Sequence, residues 1–97
     1  SWVMAGPVNG ANDAFSSSCH GAGRRLSRTA AKASVDSELL ISELEEKGIH
    51  IRAKTPNVLS EEAPEAYKAV EAVISLTNRA GLARPVARMR PVSVIKG

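Results

Sequence analysis

The sequence has few of the residues that build cross-linked or membrane-spanning proteins. Its 97 residues include one cysteine and two histidines, which excludes an internal disulfide framework and leaves no self-contained structural zinc site. No apolar run approaches the roughly 20 residues that cross a bilayer. The three aromatic residues, Trp2, Phe15 and Tyr67, are too few for a nucleic-acid surface built on base stacking.

The remaining composition is that of a single globular domain. Hydrophobic residues make up 43% of the chain and charged residues 24%, which is too apolar for a disordered segment. No charged-then-apolar leader is present, which predicts a cytoplasmic protein. The absence of an initiator methionine suggests a piece of a longer one.

Charge is segregated along the chain. Residues 1–35 carry four basic side chains and one acidic one, residues 36–71 carry four basic and nine acidic, and residues 72–97 carry five basic and none acidic. Two basic ends around an acidic middle favour an anionic ligand that is met by the ends. The alternative is that the segments neutralise one another on a solvated surface.

The hydrophobic pattern predicts an α+β (mixed α/β) fold with short strands and about three helices. Strands are predicted over residues 1–5, 49–53 and 83–95, and helices over 24–33, 36–47 and 66–80, with a connector or short helical turn over 55–64. Pro85 and Pro91 cannot donate to a sheet ladder, so the last strand is expected to be interrupted or to lie at an edge. A chain reversal is predicted where turn residues cluster, at Gly6, Pro7, Asn9, Gly10, Asn12 and Asp13.

The second helix has the clearest end signals. Asp36 is a typical N-cap residue, and Val35 before it can pack on Leu40. Leu40 and Leu44 form an apolar stripe. Gly48 is predicted to end the helix in a left-handed conformation.

One short segment has residues suited to phosphate chemistry, CHGAGR at residues 19–24. Two glycines around an alanine allow successive backbone N–H groups to point into a concave anion site. A helix that begins directly after Gly23 would add its own unpaired N–H groups. On such a helix Arg24 and Arg28 would share a face and could both bind phosphate oxygens. His20 beside the site could attack phosphorus as a nucleophile.

Each of these residues also has an ordinary structural interpretation. The glycines can form a plain helix-entry turn, and a loop histidine is commonly just solvated. Cys19 can be a packed or incidental thiol, and His50 in an alternating strand can be a surface residue. The residue pattern alone leaves these alternatives open.

At this segment the sequence resembles a known family. CHGAGRRLSR at residues 19–28 is similar to the signature of the RtcB RNA ligases, which use GTP to join RNA ending in a 3′-phosphate or 2′,3′-cyclic phosphate to RNA with a 5′-hydroxyl. The resemblance continues in SWVMAG (1–6), ELEEKGIHIRA (43–53), EEAPEAYK (61–68) and RAGLARPVARMRPVSVIKG (79–97). These separate blocks, in the same order as in the family, imply that residues 1–97 are the C-terminal portion of an RtcB-type ligase.

The resemblance assigns roles to individual residues. His20 corresponds to the histidine that attacks the α-phosphate of GTP and becomes guanylylated. Gly21, Ala22 and Gly23 correspond to the loop along the nucleotide phosphates, and Arg24 and Arg28 to arginines that hold pyrophosphate or RNA phosphate. Positions around guanine are matched by Ser1, Tyr67 and Lys96, two of which hydrogen-bond the base while the aromatic ring packs on it.

The resemblance also implies what this segment does not provide. In the family, manganese is held by Asp, Cys and His residues of a larger N-terminal part, which this sequence does not contain, so we expect no metal ligands here. The family's glycine- and serine-containing loop before Ser1 is also outside the sequence. We therefore expect no RNA ligation and no tight binding of GTP or manganese by the chain alone.

Two further classes of protein remain open from the sequence. One is a non-enzymatic module that binds nucleotide or RNA phosphate without transferring it. The other is a structural remnant that self-associates, because apolar residues that would contact the N-terminal part are left exposed. In the complete enzyme we expect the partners to be RNA, as tRNA halves or broken RNA, and that N-terminal part, and we expect no membrane.

Overall fold

The structure is a computed structural model that describes residues 1–8 and 13–97. These residues form two compact units, unit 1 from Ser1–Gly23 and Lys68–Arg90, and unit 2 from Arg24–Tyr67 and Pro91–Gly97. The elements, in chain order, are β1 (Trp2–Ala5), α1 (Arg28–Ser34), α2 (Ser37–Glu46), β2 (His50–Ala53), α3 (Pro56–Glu61), a 3-10 turn (Pro64–Ala66), α4 (Val70–Arg79), β3 (Arg84–Arg88) and β4 (Ser93–Lys96).

Unit 1 consists of the antiparallel pair β1–β3 and helix α4. The strand register shifts between Val3 and Met4, so that Met4 lies opposite Pro85. Pro85 lacks an N–H group, and an irregular register accommodates the missing donor. All five residues of β3 are exposed, so the strand has little apolar cover within the described residues.

Unit 2 contains the larger apolar cluster. Buried Leu40 of α2, Leu59 of α3 and Ala63 form its centre. The side chains packed against it come from the end of α1, from α2 and from β2, and are Val35, Ile41, Leu44, Ile51 and Ala53. Strand β2 pairs in parallel with β4, from His50 opposite Ser93 to Ala53 opposite Lys96.

The predicted ends of α2 are confirmed. The Asp36 carboxylate accepts hydrogen bonds from the backbone N–H groups of Glu38 (2.9 Å) and Leu39 (3.3 Å). These groups have no partner within the helix, so the cap satisfies two of its free donors. Gly48 follows the helix with φ 74°, the left-handed conformation that glycine adopts at lowest cost.

The predicted starts of two helices are wrong. Helix α1 begins at Arg28, not after Gly23, because Ser27 caps it by accepting a hydrogen bond from the Ala30 N–H group. Arg24 instead forms an isolated antiparallel bridge with Tyr67. The same bridge keeps Tyr67 out of α4, which begins at Val70 rather than at residue 66.

The fold class is confirmed as mixed α+β, with four helices and two small sheets among the described residues. The last strand is interrupted as expected, because β3 and β4 are separate strands that flank Pro91. The predicted reversal falls partly on residues 9–12 (Asn9, Gly10, Ala11 and Asn12), which lie outside the described residues. No helix in the described ranges is both long and apolar enough to span a bilayer.

The Asp36 cap supplies a test of the fold. We expect Asp36→Ala to lower the free energy of unfolding by about 1 kcal/mol, because two N–H groups lose their acceptor. Urea denaturation followed by circular dichroism measures the change. Glu43→Ala, at an exposed position of the same helix, is the matched control and should stay within about 0.5 kcal/mol. Equal effects of the two substitutions would contradict the capping role.

Candidate functional site

In unit 1, the predicted nucleophile lies on a loop beside a small cavity. His20 is exposed, and the cavity of about 160 Å³ is bounded by β1, by the loop and by α4. Its lining residues are Trp2, Met4, Cys19, His20, Gly21, Ala22, Val70, Val73, Ile74 and Thr77. The imidazole therefore lies at the mouth of a mostly apolar depression, and it is accessible to a ligand.

The backbone of this loop has free hydrogen-bond donors. Within the described residues, the N–H groups of residues 19–23 donate to no protein acceptor. Gly23 adopts φ 75°, whereas Gly21 does not take a left-handed conformation. A Cβ atom added at either glycine would meet no atom within 4 Å. The loop thus offers unpaired N–H groups next to open space, which is what an anion site requires.

The predicted contribution of a helix to this anion site is wrong. Residues 24–27 are not helical, so the positive end of a helix dipole does not follow Gly23 directly. Positive potential near the loop would come instead from its unpaired amides and from side chains such as Lys68, which lines a second cavity with Cys19, Gly21, Ala22 and Gly23. Arg24 and Arg28 likewise do not share a helix face, since only Arg28 belongs to α1.

In unit 2, Arg24 lies in a dense polar cluster. Its Nη1 atom donates to the Tyr67 hydroxyl (3.1 Å) and to Glu62 Oε1 (3.4 Å). Its Nε atom donates to the Leu26 carbonyl (3.0 Å), and its Nη2 atom donates to the Glu61 carbonyl. The guanidinium carbon also lies 4.9 Å from the Tyr67 ring centroid, within range of a cation–π interaction. Arg24 is therefore strongly held by the protein itself.

Glu62 is the acceptor at the centre of this cluster. Its Oε2 atom accepts a hydrogen bond from the Tyr67 hydroxyl, and its Oε1 atom lies 3.4 Å from both Arg24 Nη1 and Arg28 Nε. The hydrogen bond from Tyr67 lowers the pKa of Glu62, with further contributions from Arg28, Lys96 and Arg24. The same hydrogen bond, followed by burial, raises the pKa of Tyr67.

These pKa shifts determine the pH range over which the cluster stabilises the fold. A carboxyl with a lowered pKa stabilises the folded state above its unfolded pKa, and this contribution is lost as pH falls through the folded value. A phenol with a raised pKa stabilises the fold below its unfolded pKa, and this contribution is lost as pH rises through the folded value. The hydrogen bond between charged Glu62 and neutral Tyr67 therefore stabilises the fold at intermediate pH. This contribution is lost in acid, where Glu62 is protonated, and in strong base, where Tyr67 is ionised.

The remaining predicted site residues are placed less tightly. Arg28 has 68% of its side chain exposed, and its one ion pair among the described residues is with Glu62. Lys96 lies on β4 opposite Ala53, half-buried, and acts on Glu62 through its charge. Ser1 in unit 1 is exposed, and its backbone nitrogen donates to the Met89 carbonyl (3.3 Å). His20, Gly21 and Ala22 thus line one cavity, and Arg24, Arg28, Tyr67 and Lys96 surround one carboxylate.

Glu62 is the residue that sequence reasoning missed. It falls in the segment 55–64 that is predicted only as a connector or short helical turn, and in the structure it directly follows α3. A signal was available in EEAPEAYK, where a carboxylate precedes a tyrosine by five residues across a proline turn. Without the fold, however, nothing distinguishes Glu62 from Glu61, whose carboxylate pairs with Lys32 at 3.5 Å.

The donor set does not fit a metal ion. Across residues 1–8 and 13–97, no three His, Cys, Asp or Glu side chains lie close enough together to hold one. The described side chains by themselves therefore do not form a metal site.

Comparison with known proteins identifies the family. The family model described as tRNA-splicing ligase RtcB matches residues 1–97. Curated proteins named tRNA-splicing ligase RtcB are 48% identical in Thermococcus kodakarensis, 46% in Pyrococcus abyssi and 43% in Archaeoglobus fulgidus, each over all 97 residues. The chain belongs to the RtcB family, as its resemblance predicted.

The match covers the whole of this chain but a small share of its relatives. It spans 20% of the Thermococcus kodakarensis and Archaeoglobus fulgidus proteins and 11% of the Pyrococcus abyssi protein. Family membership is therefore established for this segment. The activity of the full-length relatives is only proposed for this chain.

The two loop glycines supply a test of the local backbone. We expect Gly23→Ala to lower the free energy of unfolding by about 1–2 kcal/mol, because a side chain disfavours the left-handed conformation. Gly21→Ala is the matched control and should stay within about 0.5 kcal/mol, since its Cβ meets open space. Chemical denaturation measures both variants. A neutral Gly23→Ala variant would show that the turn is not formed as described.

Proposed function

We propose that this chain is the guanylate-accepting, C-terminal portion of an RtcB-type RNA ligase. The observation that carries the proposal is the exposed His20 on a loop whose N–H groups have no acceptor among the described residues, in a chain of the RtcB family. A nucleophile needs access to phosphorus, and free amides stabilise the charge on phosphate oxygens. Both conditions are met at this loop.

The proposed reaction has three transfers. An imidazole nitrogen of His20 attacks the α-phosphorus of GTP, the bond to the bridging oxygen of the β-phosphate breaks, and pyrophosphate leaves. An oxygen of the RNA 3′-phosphate then attacks the phosphorus of the histidine-linked GMP, and the imidazole leaves. Finally the 5′-hydroxyl of the second RNA attacks the activated 3′-phosphate, loses its proton to the surroundings, and releases GMP.

The other residues are proposed to bind. Gly21, Ala22 and Gly23 would lie along the nucleotide phosphates, where open space beside both glycines permits close approach of a phosphate. Arg28 is mostly exposed and would bind phosphate directly. The Arg24 guanidinium donates hydrogen bonds to Glu62 and Tyr67. In the proposed contact the same guanidinium would also bind phosphate. Ser1, Tyr67 and Lys96 would surround guanine.

GTP and manganese belong to the proposal for the complete enzyme. Manganese would neutralise the triphosphate and promote departure of pyrophosphate. Because the described residues provide no metal cluster, we propose that its ligands come from the N-terminal part of the enzyme. RNA with 3′-phosphate and 5′-hydroxyl ends, and that N-terminal part, are the proposed partners.

A second role is self-association of the isolated chain. Large apolar side chains of unit 1 are exposed, among them Val3, Leu76, Val86 and Met89. Exposed apolar surface of this kind promotes association when no partner covers it. We propose that the isolated chain associates with itself through these exposed apolar side chains of unit 1.

The transfer proposal is tested by covalent labelling. The segment of the Thermococcus kodakarensis relative that aligns with residues 1–97 is replaced by this chain, and the hybrid is incubated with manganese and GTP radiolabelled at the α-phosphate. We expect a GMP adduct on His20 by mass spectrometry, complete loss of label in His20→Ala, and retention in His50→Ala, which changes the other, exposed histidine.

Two outcomes would contradict the proposal. One is full labelling of the His20→Ala hybrid. The other is a folded but unlabelled hybrid under conditions that label the unaltered relative. We expect the 97-residue chain alone to show no robust labelling, and labelling that depends on His20 would overturn that expectation.

Self-association is tested by sedimentation velocity over a concentration series. We expect the weight-average mass of the isolated chain to rise with concentration, and Leu76→Glu to lower it at each concentration, because a charge in an apolar contact is costly to bury. Leu39→Glu, at a comparably exposed position of unit 2, is the control. A monomer at every concentration would refute the association.

A further inference from the structure

We infer that Glu62 is a positioning residue of the proposed nucleotide site, and that it holds the Tyr67 ring in the orientation that a guanine base requires. The inference rests on the proposed function, since it assumes that Tyr67 contacts the base. It assigns a role to a residue outside the motif that carries the nucleophile.

The carboxylate is a shared acceptor whose two oxygens have different partners. Oε2 receives the Tyr67 hydroxyl, while Oε1 lies 3.4 Å from nitrogen atoms of both Arg24 and Arg28. The Glu62 side chain is only 20% exposed, so these partners replace much of the water that would otherwise solvate its charge. One negative charge thus fixes one phenol and interacts with two cations.

Tyr67 is restrained at both ends. Its backbone pairs with Arg24 in an antiparallel bridge, which is extended by hydrogen bonds from the Arg25 and Leu26 N–H groups to the Ala66 carbonyl (2.7 and 3.1 Å). Its hydroxyl is held by Glu62, and the Arg24 guanidinium lies over one face of the ring. A stacked base would therefore use the opposite face, and the ring would meet it with little further loss of side-chain freedom.

The charges around Glu62 predict opposite effects on two parts of a nucleotide. Replacing the carboxylate by an amide removes the anionic acceptor of the Tyr67 hydroxyl and weakens the restraint on the ring. The same change frees Arg28 from its only ion-pair partner among the described residues. Lys96, whose charge also acts on Glu62, would be left less neutralised. Base binding should therefore weaken while phosphate binding does not.

The experiment compares GMP with ribose 5-phosphate, which has the phosphate but no base. Dissociation constants for the 97-residue chain are measured by NMR titration up to millimolar ligand. We expect Glu62→Gln to weaken GMP binding by about tenfold, the scale of one hydrogen bond to a charged group. Ribose 5-phosphate should bind as before, within about twofold, or more tightly. Glu61→Gln is the matched control, because in the described part of the chain its carboxylate pairs with Lys32 alone, and it should change neither constant.

A second measurement tests the contact without any nucleotide. Tyr67 is the single tyrosine of the chain, so tyrosinate absorbance titrates one group. We expect the titration to move to lower pH in Glu62→Gln, because the anion that raises the pKa of Tyr67 is gone. Glu61→Gln should leave it in place.

The outcomes separate this inference from the function on which it rests. Equal loss of GMP and ribose 5-phosphate binding in Glu62→Gln would indicate a structural role alone and overturn the positioning role. Unchanged GMP binding, or an unmoved tyrosinate titration, would also overturn it, while the proposed function stands. A wild-type chain that binds neither ligand would refute nucleotide binding by this chain itself, and the inference would fall with it.

Discussion

The hydrogen-bonded contact between Arg24 and Tyr67 organises the polar cluster of unit 2, which also contains Arg28 and Glu62. The backbone bridge between these residues ends the loop that carries His20 and prevents two helices from starting where local propensity would start them. The Arg24 guanidinium also donates hydrogen bonds to the backbone carbonyls of Leu26 and Glu61. Arg24 is therefore in an extended bridge at the position where the first turn of α1 is predicted.

This arrangement changes how the proposed phosphate site would be built. A helix directly after Gly23 would have placed its dipole and two arginines on one side of the loop. Instead the loop residues 19–23 offer free amides in unit 1, whereas Arg24 and Arg28 of unit 2 surround the Glu62 carboxylate. In the proposed site, anion binding at the loop would rely on its unpaired N–H groups. The arginines would contribute through a cluster in which Glu62 partly neutralises their charge.

Local signals in the sequence predicted several elements well. The Asp36 cap, the left-handed Gly48 and the alternating strand around Ile51 all depend on neighbours within a few residues, so their energetics are readable from the chain. Local residue types also predict the loop CHGAGR as the candidate site. Several short blocks in the same order as in the family predict family membership, which the family model confirms. The predicted starts of α1 and α4 are wrong because the contact between Arg24 and Tyr67, which are 43 positions apart, outweighs local helix propensity.

By itself, the sequence determined the family, the fold class and which histidine is the candidate nucleophile, because each follows from residue identity and short-range spacing. Only the tertiary structure decided that Arg24 leaves the helix, that the loop amides remain without protein acceptors among the described residues, and that Glu62 rather than Glu61 receives the Tyr67 hydroxyl. Adjacent carboxylates are chemically equivalent in the sequence. Their roles diverge when the turn after α3 brings one of them to a phenol and two guanidinium groups, and the other to a lysine.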